Sequence, residues 1–170
     1  MSEERAPSVE HFDELVRRRV AEESPDTDLL LLQASIGLVR VASRLTADYE
    51  SAVHRHLGLT WAGYRLLFCL WVAGPQRSNT LAQMMWATPS TLSSVTNTLE
   101  KQQLVRRERD AADRRVVTVH LTAEGRRLIV QAFDAQHERE TAWLQALSRK
   151  ELEGLVKVLV KVAAMDHPPR

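Results

Sequence analysis

The stretch Thr88–Gly125, TPSTLSSVTNTLEKQQLVRRERDAADRRVVTVHLTAEG, decides how the rest of the chain is read. Thr88 suits a helix N-cap, and Pro89 suits the first helical turn, where a missing N–H costs nothing. Leu92, Val95 and Leu99 then recur at helical spacing. The other side carries Ser90, Thr91, Ser93, Ser94, Asn97 and Thr98. These are mediocre helix-interior residues, because their side chains compete for backbone hydrogen bonds. A helix that accepts this cost along a whole face presents that face to something outside itself.

The rest of the stretch reads as a β-ribbon. Val105 to Arg109 forms one short strand, Asp110 to Asp113 a loop, and Val116 to Leu121 a second strand. Val117, Val119 and Leu121 alternate onto one face of that second strand. The ribbon bears Arg106, Arg107, Arg109, Arg114 and Arg115. A polar helix followed by an arginine-tipped hairpin is a winged helix-turn-helix arrangement. Such a helix fits a DNA major groove about 12 Å wide. A hairpin tip can place an arginine in the narrower, more negative minor groove.

The pattern Asp113-x-Arg115-x-x-x-Val119-x-Leu121-Thr122-x-x-Gly125 closely resembles the wing signature of the MarR family of transcriptional regulators. The preceding LEKQQLVRR resembles that family's exit from the recognition helix, and the likeness in pattern runs from about Leu29 to Met165. It implies that Arg115 reaches the minor groove while Asp113 holds it. A carboxylate beside a guanidinium can fix its rotamer through a charge-assisted bond. Two positions depart from the family: Gln103 stands where glycine is common, and Ser94 where a basic residue is common. Base reading would then rest on Ser90, Thr91, Ser93, Ser94, Asn97 and Thr98, with Arg106, Arg114 and Arg115 adding positive charge.

The 170 residues give room for one domain with a sizeable core, and a 44% apolar fraction argues against disorder. Formal net charge is only +1, so the case for nucleic acid rests on the local basic bias of the ribbon. The single cysteine, Cys69, allows no internal disulfide and fits a reducing compartment. No signal core follows the N-terminus, and no apolar run is read as approaching the roughly 20 residues a bilayer needs. A soluble cytoplasmic protein that does not enter a membrane is expected.

The periodicity of Val9, Phe12, Val16 and Val20 predicts a short amphipathic helix within an N-terminal extension, residues 1–24. From Asp28 to about Leu57 a helical pattern runs without proline, about 45 Å at 1.5 Å per residue. Leu31, Leu38 and Leu45, with Leu32, Ile36 and Tyr49, form its stripe, and Gly58 ends it. A helix this long needs a partner surface, and a second subunit supplies one. Thr60 caps a buried helix to Val72, and Ser78 to Trp86 is the first helix of the helix-turn-helix pair. Thr122 starts a long helix through Ile129, Ala132, Phe133 and Gln136. Ser148 and Glu151 make a capping box for the last helix, striped by Leu152, Leu155, Val156, Leu159 and Val162.

The expected architecture is therefore mainly α with a small β-hairpin wing. A winged helix-turn-helix region, residues 59–122, lies between long dimerisation helices in residues 25–58 and 123–166. In the resembled family the end helices intertwine two subunits, and twofold symmetry then sets two recognition helices about 34 Å apart on a pseudo-palindromic site.

Signals for other chemistry are weak. Cys69 sits inside LLFCLW and reads as a small buried apolar residue rather than a redox sensor. His54 and His56 are two apart on a helix, about 200° around it, and cannot chelate one metal together. No metal-ligand spacing, P-loop or dinucleotide-binding glycine run occurs, so neither a metal, a cofactor nor an enzyme activity is expected. The resemblance implies a ligand pocket between the dimer helices and the DNA-reading lobe. Trp61, Tyr64, Arg65, Phe68 and Arg44 are its candidate lining, suited to an aromatic or anionic effector. The sequence-level reading is a homodimeric repressor of double-stranded DNA released by such an effector. The alternatives are an effector-independent DNA-binding regulator and a winged-helix protein-interaction module.

Overall fold

The computed structural model describes residues 8–109 and 116–165. The chain divides into two compact units, Met1–Ala47 and Asp48–Arg170. In the first, Ser8 caps α1 (Val9–Glu23) by accepting the His11 N–H. Asp28 opens α2 (Leu29–Tyr49) by accepting the N–H groups of Leu30 and Leu31 at 2.9 and 3.1 Å. Arg40 of α2 forms a two-pronged ion pair with Asp13 of α1 (2.7 and 3.4 Å) and lies over the Phe12 ring at 5.6 Å. That pairing holds the Asp13 carboxyl below its ordinary value. No described residue before Tyr49 is buried, and Leu30, Leu31, Leu38, Val39 and Val41 are all exposed.

The expectation that no apolar run approaches bilayer length is corrected by this helix. Residues Leu29–Leu57 contain an 18-residue window of mean hydropathy 1.3, long and apolar enough to cross a membrane by length and composition. The reason is that both its core-type stripe and its outer residues are aliphatic. Even so, Arg40, Arg44 and Asp48 recur every four residues and mark one charged ridge along it.

The second unit opens where regular winding stops. α2 passes into a π turn at Glu50–His54 and a 3₁₀ turn at Arg55–Leu57, ended by Gly58 in the left-handed conformation (φ 69°). Thr60 caps α3 (Trp61–Ala73), β1 is Gln76–Arg77, and α4 (Ser78–Met84) leads through a turn to α5 (Pro89–Lys101). Strands β2 (Val105–Arg109) and β3 (Val117–Leu121) form the ribbon; α6 (Ala123–Leu144) and α7 (Arg149–Ala163) complete the chain. β1 is a strand the sequence did not announce. It pairs antiparallel with β3 and makes the sheet three-stranded, in the order β1-β3-β2.

The core sits where α3, α4, α5 and α6 meet that sheet. Leu66, Leu67, Leu70, Leu81, Met85, Leu99, Val119 and Ile129 are its fully buried centre. α6 is fastened to the last turn of α2 by Arg139, which grips Asp48 with two bonds (2.7 and 3.0 Å), and by the Trp143 indole N–H on the same carboxylate. At its other end α6 begins against the exit of α5. The Thr122 hydroxyl accepts from the Gly125 N–H (2.9 Å) and donates to the Gln103 carbonyl (2.8 Å), while the Thr122 N–H donates to the Leu104 carbonyl. A Cβ on Gly125 would overlap that same carbonyl, so the close approach requires glycine. α7 buries no residue: Leu155, Val156, Val158, Leu159, Val160 and Val162 are exposed.

Candidate nucleic-acid interface

α5 forms as its sequence dictates. The Thr88 side chain accepts the Thr91 N–H at 3.2 Å, and Pro89 occupies the first turn. Leu92 and Leu99 are buried, Val95 is half-buried, and Thr96 turns inward with its hydroxyl donating to the Leu92 carbonyl at 2.7 Å. Ser90, Thr91, Ser93, Ser94, Asn97 and Thr98 are all exposed. The helix thus gives its apolar side to the core and keeps a continuous side of hydroxyls and one amide outside it. At the N-terminus, Thr88, Ser90 and Thr91 link their hydroxyls at 2.9 Å, which orients the first turn.

The missing glycine after α5 does not reroute the chain. Gln103 itself adopts the left-handed conformation (φ 59°), and Leu104 N–H closes onto the Leu99 carbonyl. The turn before α5 is similar: Trp86 has φ 50° and is 77% exposed.

In the ribbon, Val105 pairs with Leu121 and Arg109 with Val117. Arg106 is exposed but donates to Glu108 at 2.7 Å, and the guanidinium holds the Glu108 carboxyl below the usual range. His120 lies 3.3 Å from the same carboxylate. Asp113, Arg114 and Arg115 lie outside the described residues.

Arg107 is the site residue that sequence reasoning did not single out. Its NH1 donates to Asn97 Oδ1 (2.7 Å) and to Glu100 Oε2 (2.8 Å), and its NH2 donates to the Ser93 carbonyl (3.3 Å). Its backbone N–H donates to Glu100 Oε1. The signal was available: side chains alternate along a strand, so Arg107 shares the face of buried Val105 rather than that of Arg106. Ser93, Asn97, Arg107 and Arg109 line a cleft of about 400 Å³ with Ser78 and Val117.

The aromatic residues form a separate cluster. His54 is fully buried and stacks on Tyr64 (centroids 4.4 Å) and on Trp61 (5.6 Å). Its Nε2 meets Gln136 Oε1 at 2.9 Å, while Nδ1 has no partner among the described residues. Burial pushes the His54 pKa down and the Tyr64 hydroxyl up to about 12. Phe68 continues the stack to Phe133. The structure therefore groups Trp61, Tyr64 and Phe68, with Tyr64 buried and the other two half-buried. Arg65 stands apart from them: it donates to the Met85 carbonyl at the end of α4. Arg44 belongs to the first unit. Cys69 is half-buried, and burial raises its thiol pKa.

A core of four helices, two of them a helix-turn-helix pair, with a β-ribbon in a three-stranded sheet, defines a winged helix-turn-helix protein. The MarR family profile matches residues 59–117. The uncharacterized HTH-type transcriptional regulator YwaE of Bacillus subtilis is 31% identical over 140 residues, covering 82% of each chain. The HTH-type transcriptional regulator MgrA of Staphylococcus aureus is 25% identical over 130 residues, 76% of this chain and 87% of that one. Among solved structures, NadR in complex with 4-hydroxyphenylacetate superposes with a TM-score of 0.67 at 26% identity, over 77% of this chain and 92% of that one. The chain belongs to the MarR family, whose matching members are transcriptional regulators rather than enzymes.

Proposed function

We propose that the protein is a cytoplasmic repressor that binds a pseudo-palindromic operator as a homodimer and leaves it on binding a small aromatic or anionic effector. The observation that carries the DNA reading is the exposed row from Ser90 to Thr98, on a helix whose opposite side is fully committed to the core. Residues 59–122 read DNA: α5 enters the major groove, phosphate contacts fix its position, and Arg115, held by Asp113, enters the minor groove. Residues 25–58 and 123–166 form the dimerisation region. The uncovered aliphatic residues of α2 and of α7 support a second copy as what covers them, since each helix leaves more apolar surface in water than isolated side chains explain.

Effector release is supported by the Trp61–Tyr64–Phe68 cluster and by the NadR complex with an aromatic carboxylate. One observation favours a regulator without an effector: the Arg65 guanidinium, the expected anion partner, already donates to Met85.

The test is binding of the full-length protein to a duplex taken from upstream of its own gene, followed by fluorescence anisotropy across a salt series. The expected result is salt-dependent binding that weakens by about 1–3 kcal/mol in Arg115→Ala. Unchanged affinity in that variant would remove the wing from the interface. A thermal-shift screen with hydroxyphenylacetate and benzoate decides between the two modes of release.

A further inference from the structure

We propose that Arg107 turns Asn97 into a donor-only base reader, so that the operator carries guanine or thymine, and not adenine, where Asn97 touches it. This rests on the reading of α5 as the DNA-contacting helix and specifies what one of its side chains recognises. An arginine has five N–H donors and no acceptor, so the Asn97 atom 2.7 Å from Arg107 NH1 is the carbonyl oxygen, Oδ1. The side-chain NH2 takes no part in that contact, and Asn97 is on the exposed side of α5.

The clamp is firm because Arg107 is itself held. Glu100 takes both its backbone N–H (3.1 Å) and its NH1 (2.8 Å), and the Ser93 carbonyl takes NH2 (3.3 Å). Arg107 is only about a quarter exposed. Strand pairing of Arg107 with Val119, which is fully buried, fixes the backbone from which it reaches.

The chemistry follows from what an amide needs to read each base. Asparagine recognises adenine with two bonds, accepting from N6 through its oxygen while donating to N7 through its nitrogen. Here the oxygen is already engaged by a cation. An N–H that approaches its second lone pair also approaches the positive charge 2.7 Å away. The same charge polarises the amide and strengthens its N–H donors. What remains is a pair of donors: guanine offers them two acceptors, O6 and N7, and thymine offers O4, whereas adenine offers N7 alone and sets its N6 donors against them. Arg107 acts through Asn97 and is a positioning residue. Glu100 neutralises it, so it offers little net charge to phosphate.

The experiment is selection from a randomised duplex library by the full-length wild type and by the Asn97→Ala, Asn97→Asp and Arg107→Met variants. In the wild type, the position whose preference disappears in Asn97→Ala should carry guanine or thymine. Arg107→Met frees Oδ1 and should shift that position toward adenine by about fivefold or more. Asn97→Asp keeps the Arg107 pair and its thermal midpoint but loses both donors, and should abolish the preference. Adenine at that position in the wild type, or no position that depends on Asn97, overturns the inference while leaving DNA binding by α5 intact. Failure of the wild type to select any duplex overturns the α5 reading and this inference with it.

Discussion

Among the described residues, Trp86 and Gln103 alone carry positive φ without being glycine, at 50° and 59°. They flank the second helix of the helix-turn-helix pair, where the chain enters and leaves α5. For a bulky side chain the left-handed conformation costs about 1–2 kcal/mol, and Trp86 recovers little of it because its ring is 77% exposed. Glycine at this position removes the strain and gives back part of the gain through a more flexible unfolded chain. Trp86→Gly should therefore raise the urea midpoint, by about 0.5–1 kcal/mol of unfolding free energy; a lower midpoint would show that the ring is packed in solution. Gln103 was flagged in the sequence as standing where glycine is common, whereas nothing there marked Trp86, since a turn is normally signalled by glycine. The exposed row of α5 was legible, because the 3.6-residue period separates Leu92, Val95 and Leu99 from the hydroxyls. Arg107 was counted among the ribbon arginines, but its inward aim depends on a strand partner and on Glu100 and Asn97 lying across from it.

At the scale of elements, caps and stops were the most readable features. Thr60, Thr88, Thr122 and the Ser148–Glu151 box all cap the helices their side chains suit, and Gly58 closes the helical run as expected. The π turn at Glu50–His54 was not readable, because the same run of residues continues the helical pattern without a break. The turn sets His54 against Trp61 and Tyr64 and within reach of Gln136 on α6, a contact 82 residues away that no local pattern announces. β1 was missed because two residues give no periodicity; it exists only because β3 offers an edge. The buried imidazole has a consequence for pH. Burial lowers its pKa below the ordinary 6.5, against smaller opposing effects from Gln136 and Glu50. The unfolded chain therefore takes up the proton first, so its contribution to stability is complete above pH 6.5 and is lost as the pH falls below it. Asp48, held low by Arg139 and Trp143, loses its contribution only below its ordinary 3.8. Urea unfolding between pH 7 and 5 should show falling stability in the wild type and a flatter profile in His54→Phe. Parallel profiles would exclude His54 as the titrating group.

For the whole molecule, the telling feature is how much aliphatic surface α7 leaves in water. Leu155, Val156, Leu159 and Val162 are 39–58% exposed, on a helix that buries nothing. The sequence showed this stripe clearly but not what meets it, since a periodic apolar face looks the same whether its own chain or another covers it. With a second copy as the cover, Leu159→Glu puts a charge into the interface. It should give monomers by sedimentation at micromolar concentration, with helix content kept and binding to a two-half-site duplex lost. A wild type that sediments as a monomer under those conditions would refute the homodimer.

The junction at Leu104 has a mechanical meaning. Its carbonyl receives the first N–H of the segment that launches α6, and the missing side chain at Gly125 lets the two backbones touch with nothing soft between them. Further along, the same rod is bolted to the π turn through Gln136 and to Asp48, at the end of α2, through Arg139. A tilt of α6 imposed at that distant end would therefore press on the exit of α5 through backbone rather than through a yielding side chain.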